Sequence, residues 1–230
     1  MSDYMHVPGE KGSFTYDDLH KSLPSRIAEF IADGVFKGHY KPGDRLKEDE
    51  LSKIFNTSRA PIREALYLLQ INGLVDRLPR RGCVIRSYNQ CQIEELYEVR
   101  IGLESMALER LFKNWNCSFQ DSFKKILFKM EIAINDEDTL AYAHLNNQFH
   151  DLLCNLSGNE TLYNLYKQLG HPIVPVLQSS MQHIESLQKS YLEHIEIIDA
   201  LCNRQFDHAK KLLIANVQNG MKRAISLLND

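Results

Sequence analysis

No uninterrupted apolar stretch in this chain of 230 residues approaches the ~20 that a helix needs to cross a bilayer. The opening MSDYMHVPGEKGSF has none of the apolar core that a secretory leader carries. Its five cysteines (Cys83, Cys91, Cys117, Cys154, Cys202) never fall into CxxC spacing. An odd, scattered set suits neither a disulfide framework nor a zinc ribbon, so a soluble, cytoplasmic chain is expected. Catalytic signatures are also missing. There is no Gly-rich phosphate loop, no HExxH and no Ser/His/Asp constellation. A di-iron bundle would need Glu-x-x-His pairs. Here Glu193 directly adjoins His194, and His150 follows Gln148 and Phe149. A metal-dependent enzyme built on a helical bundle is therefore the weaker alternative, and a non-enzymatic binding protein the leading one.

The formal charge of −3 argues against a polyanion partner until it is divided along the chain. Residues 24–88 carry twelve Lys and Arg against eight Asp and Glu, a balance of +4 that leaves −7 for the rest. A basic head on an acidic body is the pattern of a nucleic-acid reader. The head opens with a helix from Pro24 that turns Ile27, Phe30, Ile31 and Val35 inward. A turn at Lys41-Pro-Gly-Asp44 follows, then a helix near Glu48–Phe55 and a tight connection at Asn56-Thr57. In the third helix Ile62, Ala65, Leu66 and Leu69 keep the i, i+3, i+4, i+7 spacing of a buried stripe. Ser58 stands where a hydroxyl can cap it, and Pro61 falls in its first turn, where a missing N–H costs nothing. Arg59 and Arg63, four residues apart, share one side of its N-terminal end. Strand candidates Leu74–Leu78 and Cys83–Ser87 are joined by the hairpin tip Pro79-Arg80-Arg81-Gly82. A helix with arginine at its exposed start, followed by a basic hairpin, reads as a winged helix-turn-helix for double-stranded DNA. A non-specific architectural DNA binder is a further alternative.

From about Gln90 onward the pattern is helical throughout. Six helices are expected near 90–114, 119–134, 138–156, 159–170, 173–203 (with a break near Ile184–Gln188) and 205–228. The fold class is thus mostly α: an arm over 1–20, a winged helix-turn-helix over 21–88 and an all-α bundle over 89–230. Arg100 and Glu104, at i and i+4, form an intrahelical pair. Arg100 is also a candidate fork for an effector carboxylate. Tyr97, Tyr142, Tyr163, Tyr166 and Met181 are candidates to line the same cavity, or plain core.

Taken in order, these motifs resemble the GntR superfamily of bacterial transcription regulators, in its FadR-like branch with an FCD ligand-binding domain. The resemblance rests on Pro42-Gly-Asp-Arg-Leu46, Glu50-Leu51, Ser58-Arg59-x-Pro61-x-Arg63-Glu64-Ala65-Leu66, Gly73-Leu74 and Arg81-Gly82-x-Val84 in the head. In the body it rests on Glu95-Leu-Tyr-Glu-Val-Arg100, Leu103-Glu104, Phe149-His150 and Glu193-His194. The six-helix body is closest to the VanR-type subgroup. The resemblance implies a homodimeric regulator, a repressor in the commoner case, with a small-molecule effector such as an organic or sugar acid. It places Ser58, Arg59, Arg63 and Gly82 at operator-contacting positions, beside the hairpin-tip arginines Arg80 and Arg81, which read as phosphate or minor-groove contacts of the wing. Asp49 stands where some members carry Arg, and there it would repel a phosphate. Many FCD domains hold a divalent metal with one Asp and three His. The corresponding positions here are Asn146, His150, His194 and Asn216, so two imidazoles are kept and two ligands become amides. Zinc or nickel could still bind, though without a charged ligand the affinity must fall. Otherwise the same residues, with Arg100, make a polar pocket that holds the effector directly.

Overall fold

The computed structural model describes residues 22–78, 82–169 and 184–226, together with Leu228. The arm over 1–20, the hairpin arginines Arg80 and Arg81, and Met181 lie outside the described residues. The chain divides into two compact units between Arg86 and Ser87.

In the first unit the order is α1 (Leu23–Phe36), β1 (Arg45–Leu46), α2 (Glu48–Ile54), α3 (Arg59–Ile71), β2 (Val75–Leu78) and β3 (Gly82–Ile85). The strands pair antiparallel in the order β1-β3-β2, with Leu46 opposite Cys83 and Asp76 opposite Val84. The sequence does not announce β1, because two residues cannot display a period of two. Its position follows from the preceding turn. Gly43 takes a positive φ of 88°, the Asp44 carboxylate accepts from the Lys41 N–H at 2.7 Å, and the Ile85 N–H donates to Asp44 O. The core is Ile27, Ile31 and Val35 of α1 against the α3 stripe Ile62, Ala65, Leu66 and Leu69, closed by Leu51, Leu74, Val75 and Ile85. Each such side chain contributes about 1.5–3 kcal/mol on burial. Phe30 departs from the inward set. It lies at the rim, 39% exposed, edge-on to Phe55 at 5.2 Å.

Helix α3 stops at a Schellman turn. Gly73 has φ of 73°, and the N–H groups of Gly73 and Leu74 donate to Gln70 O and Leu69 O. That turn aims the chain directly into β2. At the other end Asn56, at φ of 46°, lets α2 pass into α3 within four residues.

The second unit comprises α4 (Gln90–Lys113), α5 (Cys117–Asn135), α6 (Thr139–Leu156), α7 (helical over 160–169), α8 (Ile184–Cys202) and α9 (Phe206–Ser226). Side-chain caps set three of the starts. Asn89 and Gln92 form a capping box on α4, while Asn116 and Asp138 accept from backbone N–H groups of α5 and α6. Helix α4 packs on α6 and α9, α5 on α6 and α8, and α8 on α9, so these five close a ring. Inside it an aromatic series runs from Trp115 to Phe123 to Phe149, at ring separations of 5.9 and 5.0 Å. Among the described residues no helix is long and apolar enough to cross a membrane.

Candidate functional site

The buried stripe of α3 leaves its opposite face open, and that face begins with arginine. Arg59 and Arg63 are exposed, and Tyr67, one further turn along, is 58% exposed on the same side. Neither arginine is free. Arg59 Nε sits 2.7 Å from Asp49 Oδ1, and Arg63 Nε donates to Glu48 Oε2 at 2.8 Å. Glu48 also approaches Arg77 Nη2 of β2 at 4.0 Å. Asp49 is thus not a bare charge that repels phosphate. It is matched by Arg59, because the turn at Asn56 sets the first turn of α2 against the start of α3. Ser58 does occupy the N-cap, but its hydroxyl makes no capping hydrogen bond, contrary to the expectation from sequence. The backbone there is extended (φ −72°, ψ 168°) and the side chain is exposed. Gly82, at φ of 77°, opens β3 beside the Arg45 side chain.

The ring of helices in the second unit encloses a polar cluster rather than a purely apolar core. Arg100 and Glu104 of α4, Asn146 and His150 of α6, His194 of α8 and Asn216 of α9 are all buried. Five of the candidate pocket positions (Arg100, Asn146, His150, His194, Asn216) therefore converge. Arg100, Asn146, His150 and Asn216 line one small cavity with Gly220 and Arg223. Its free space is about 10 Å³, room for about one water. Val217 supplies its apolar side chain, and the Phe149 ring packs 4.3 Å from that of His194.

Glu104 is the hub of this cluster. One carboxylate oxygen accepts from Arg100 Nε at 2.6 Å, and the other meets His150 Nδ1 at 2.7 Å. Burial pushes the Glu104 carboxyl up, yet His150 and Arg100 outweigh it and hold the group down at about 2. Burial lowers His150 as well, and burial is the main cause that takes His194 down to about 3. Both rings are neutral at pH 7, so each carries one proton. A carboxylate can only accept, so the proton of His150 is on Nδ1. His194 Nδ1 faces Ser190 O at 2.6 Å, and a carbonyl likewise only accepts. Both Nε2 atoms are therefore bare lone pairs, and they face each other at 3.4 Å with no proton to share.

A third base joins them. Asn216 Nδ2 donates to Glu193 Oε2 at 2.8 Å, and Asn219 Nδ2 donates to Glu193 Oε1 at 2.7 Å. That partner fixes the Asn216 amide, turning its oxygen away from Glu193 and leaving it to accept. Among the described residues no group of three or more His, Cys, Asp or Glu is arranged to hold a metal. The donor set that does exist is two imidazole nitrogens and an amide oxygen. Carboxylate and carbonyl partners orient the imidazoles from behind, as metal-binding histidines are oriented. This set fits a divalent cation bound without charge compensation, or a ligand that brings its own donors.

Sequence reasoning missed several participants. The sequence presents Glu48 only as the start of a helix and Glu193 only as the neighbour of His194. Glu104 was read only as a helix-surface partner of Arg100, although its 46-residue reach to His150 is what fixes the ring. Arg223 was not singled out, yet its Nε is buried without a hydrogen-bond partner among the described residues. Only inward helical spacing on α9 (Asn216, Gly220, Arg223 at i, i+4, i+7) could have pointed to it.

Comparison with known proteins bears on both units. Residues 95–219 match the family described as the FCD domain, and residues 23–85 match the bacterial regulatory proteins of the gntR family. The chain is 31% identical over 201 residues to YdhC, an HTH-type transcriptional regulator of Bacillus subtilis, covering 85% of this chain and 88% of that protein. It is 27% identical over 174 residues to the gluconate operon transcriptional repressor of Bacillus subtilis, covering 76% and 70%. Among solved structures it is similar in fold to E. coli McbR/YncC, with a TM-score of 0.81 and 20% identity over 90% of this chain and 99% of that one.

Proposed function

The chain belongs to the gntR family of bacterial regulatory proteins and carries an FCD domain, and from that premise we propose which residues read DNA and what the bundle senses. It is a DNA-binding transcriptional regulator, not an enzyme. The observation that carries the reading of its head is α3: four buried apolar residues lock the helix in place, and Arg59 and Arg63 stand exposed at its start. These two arginines contact base edges of a double-stranded operator. The Ser58 hydroxyl, uncommitted as a cap, and the Gly82 backbone contact phosphates. Arg80 and Arg81 extend the same contacts from the wing. The chain acts as a homodimer on paired half-sites and in the commoner mode as a repressor. An apolar groove of Val99 and Leu103 on α4 with Leu165 and Leu169 on α7 supports such a self-association.

In the bundle, Arg100, Asn146, His150, His194 and Asn216 bind a small anionic effector, an organic or sugar acid. The Arg223 Nε, without a hydrogen-bond partner among the described residues, supports this, since a buried unsatisfied group costs about 1–3 kcal/mol that a ligand can recover. The gluconate operon repressor is a relative whose name fits that chemical class. With about 10 Å³ free, the pocket must open to admit such a molecule. That difference between states is what lets a ligand shift DNA affinity. Some FCD domains bind metals. A zinc or nickel ion would be held here by His150 and His194 with the amide oxygens of Asn146 and Asn216, and would supply a positive centre for the effector carboxylate.

The test uses the full chain and the tightest 30-bp duplex that it selects from a random library. The Arg59→Ala/Arg63→Ala protein should lose at least ~10²-fold in affinity for that duplex, from about 1–3 kcal/mol per base contact. Unchanged affinity refutes the assignment of α3. Metal content after dialysis, with and without His150→Ala, tests the cation reading.

A further inference from the structure

We infer that Asp49 and Glu48 are positioning residues for base reading: each anchors one arginine of α3 by its Nε and leaves the outer fork of the guanidinium to face DNA. The inference rests on the proposed role of Arg59 and Arg63. The two pairs are alike in their Nε–carboxylate distance, and in the Arg63 pair Nε donates a hydrogen bond. Asp49 Oδ1 lies 2.7 Å from Arg59 Nε, and Glu48 Oε2 lies 2.8 Å from Arg63 Nε. A guanidinium has five N–H donors, one on Nε and four on Nη1 and Nη2. A carboxylate that takes Nε leaves the Nη pair at the end of the side chain, and that pair spans the O6 and N7 acceptors of guanine.

Stability does not explain these pairs. Arg59 and Asp49 are 61% and 65% exposed, and solvated pairs of this kind contribute next to nothing to folding. Arginine on an open helix face samples many rotamers, and fixing one on binding weakens association. Anchoring Nε before DNA arrives removes part of that loss. Two carboxylates beside the reading fork also discriminate against unspecific contact. Each offsets one arginine charge toward a phosphate backbone, so fewer counterions are released on random DNA. Glu48 is the more constrained of the two, 28% exposed and shared with Arg77 at 4.0 Å.

The experiment compares full-length wild type with Asp49→Asn, Glu48→Gln and the double variant, using the selected 30-bp duplex and the unselected random pool. Each single variant should reduce the ratio of selected to random affinity about three- to tenfold, with tighter binding to random DNA. The salt dependence on random DNA should steepen by about one counterion per charge removed. Asp49→Glu should restore most of the ratio, and guanine substitutions in the duplex should cost the double variant less than wild type. A ratio unchanged in the double variant, while Arg59→Ala and Arg63→Ala each lose selected binding, overturns the positioning role alone. Selected binding that survives both arginine changes overturns the reading beneath it as well.

Discussion

Replacing Glu104 by Gln keeps the shape of the hub and removes its charge. The bond from Arg100 Nε at 2.6 Å is then charge-assisted from the donor side alone, and that from His150 Nδ1 at 2.7 Å becomes at best neutral. Each such downgrade costs about 1 kcal/mol. Arg100, only 2% exposed, also loses its counter-charge, and orphaning a buried ion by outright truncation costs about 3–5 kcal/mol. Because Gln still accepts from Arg100, a total of about 2–4 kcal/mol is expected. For a unit of this size that lowers Tm by roughly 6–12 °C. Trp115 is the sole tryptophan and lies in the second unit stacked on Phe123, so its fluorescence follows that unit alone. The tautomer should change too. The Gln amide presents N–H to His150 Nδ1, driving the proton to Nε2, where it can bridge the 3.4 Å to His194 Nε2. Nitrogen chemical shifts of the two rings report that move directly. Arg100→Met/Glu104→Gln should recover most of the lost stability, since the buried charge is then gone. A Glu104→Gln protein with unchanged melting and His150 still protonated on Nδ1 would refute both the electrostatic and the tautomer reasoning.

Three further outcomes follow from the same geometry. His194 is held down at about 3 in the folded state against about 6.5 in the unfolded chain, so both states are neutral above pH 6.5. Between pH 6.5 and 3 the unfolded chain binds a proton that the folded one refuses, and urea denaturation in chelator should show stability falling by a few kcal/mol over that window. His194→Gln should flatten the slope. Gly73→Ala should cost the head about 1 kcal/mol by thermal melting, because φ of 73° disfavours a Cβ, while Gly220→Ala, whose Cβ would meet Tyr97 and Arg223 at 3.8 Å, should fold normally. Asn146→Asp adds a charged oxygen beside the two bare Nε2 atoms, and zinc titration by calorimetry should show at least ~10-fold tighter binding than wild type.

Local chemistry made most of the fold legible. The α3 stripe, the glycine that ends the helix and the polar caps of the bundle helices are each decided within a few residues, and those are the features a sequence displays. The missed strand, Arg45–Leu46, is too short to carry a pattern, and it exists because Gly43 and Asp44 deliver it to the edge of β3. The cluster in the bundle was legible residue by residue through family resemblance, but its wiring was not. Glu104 reaches His150 across 46 residues, and Glu193 reaches Asn216 across 23. Such contacts depend on the ring closure of α4, α6, α8 and α9, which no periodicity reveals. Asp49 shows the same limit in the head. Its charge could be read from sequence, its partner could not, and the partner reverses what the charge means.

The same pair of groups, guanidinium and carboxylate, occurs in both units and does different work in each, and the surroundings decide which. Between Arg100 and Glu104 there is almost no water, so separating them exposes each to a full desolvation penalty, and the pair behaves as part of the fold. Between Arg59 and Asp49 water screens nearly all of the attraction, so the pair opens and closes at little cost. An arginine whose Nε stays on a carboxylate while its outer fork adjusts to a base needs the second environment, and a ring of helices that must hold an imidazole in one tautomer needs the first. Exchanging the two acids for amides should therefore separate the effects. Glu104→Gln should lower melting and leave DNA discrimination per folded molecule unchanged, whereas Asp49→Asn should leave melting within about 1 °C and weaken discrimination, as expected for an exposed pair worth a few tenths of a kcal/mol.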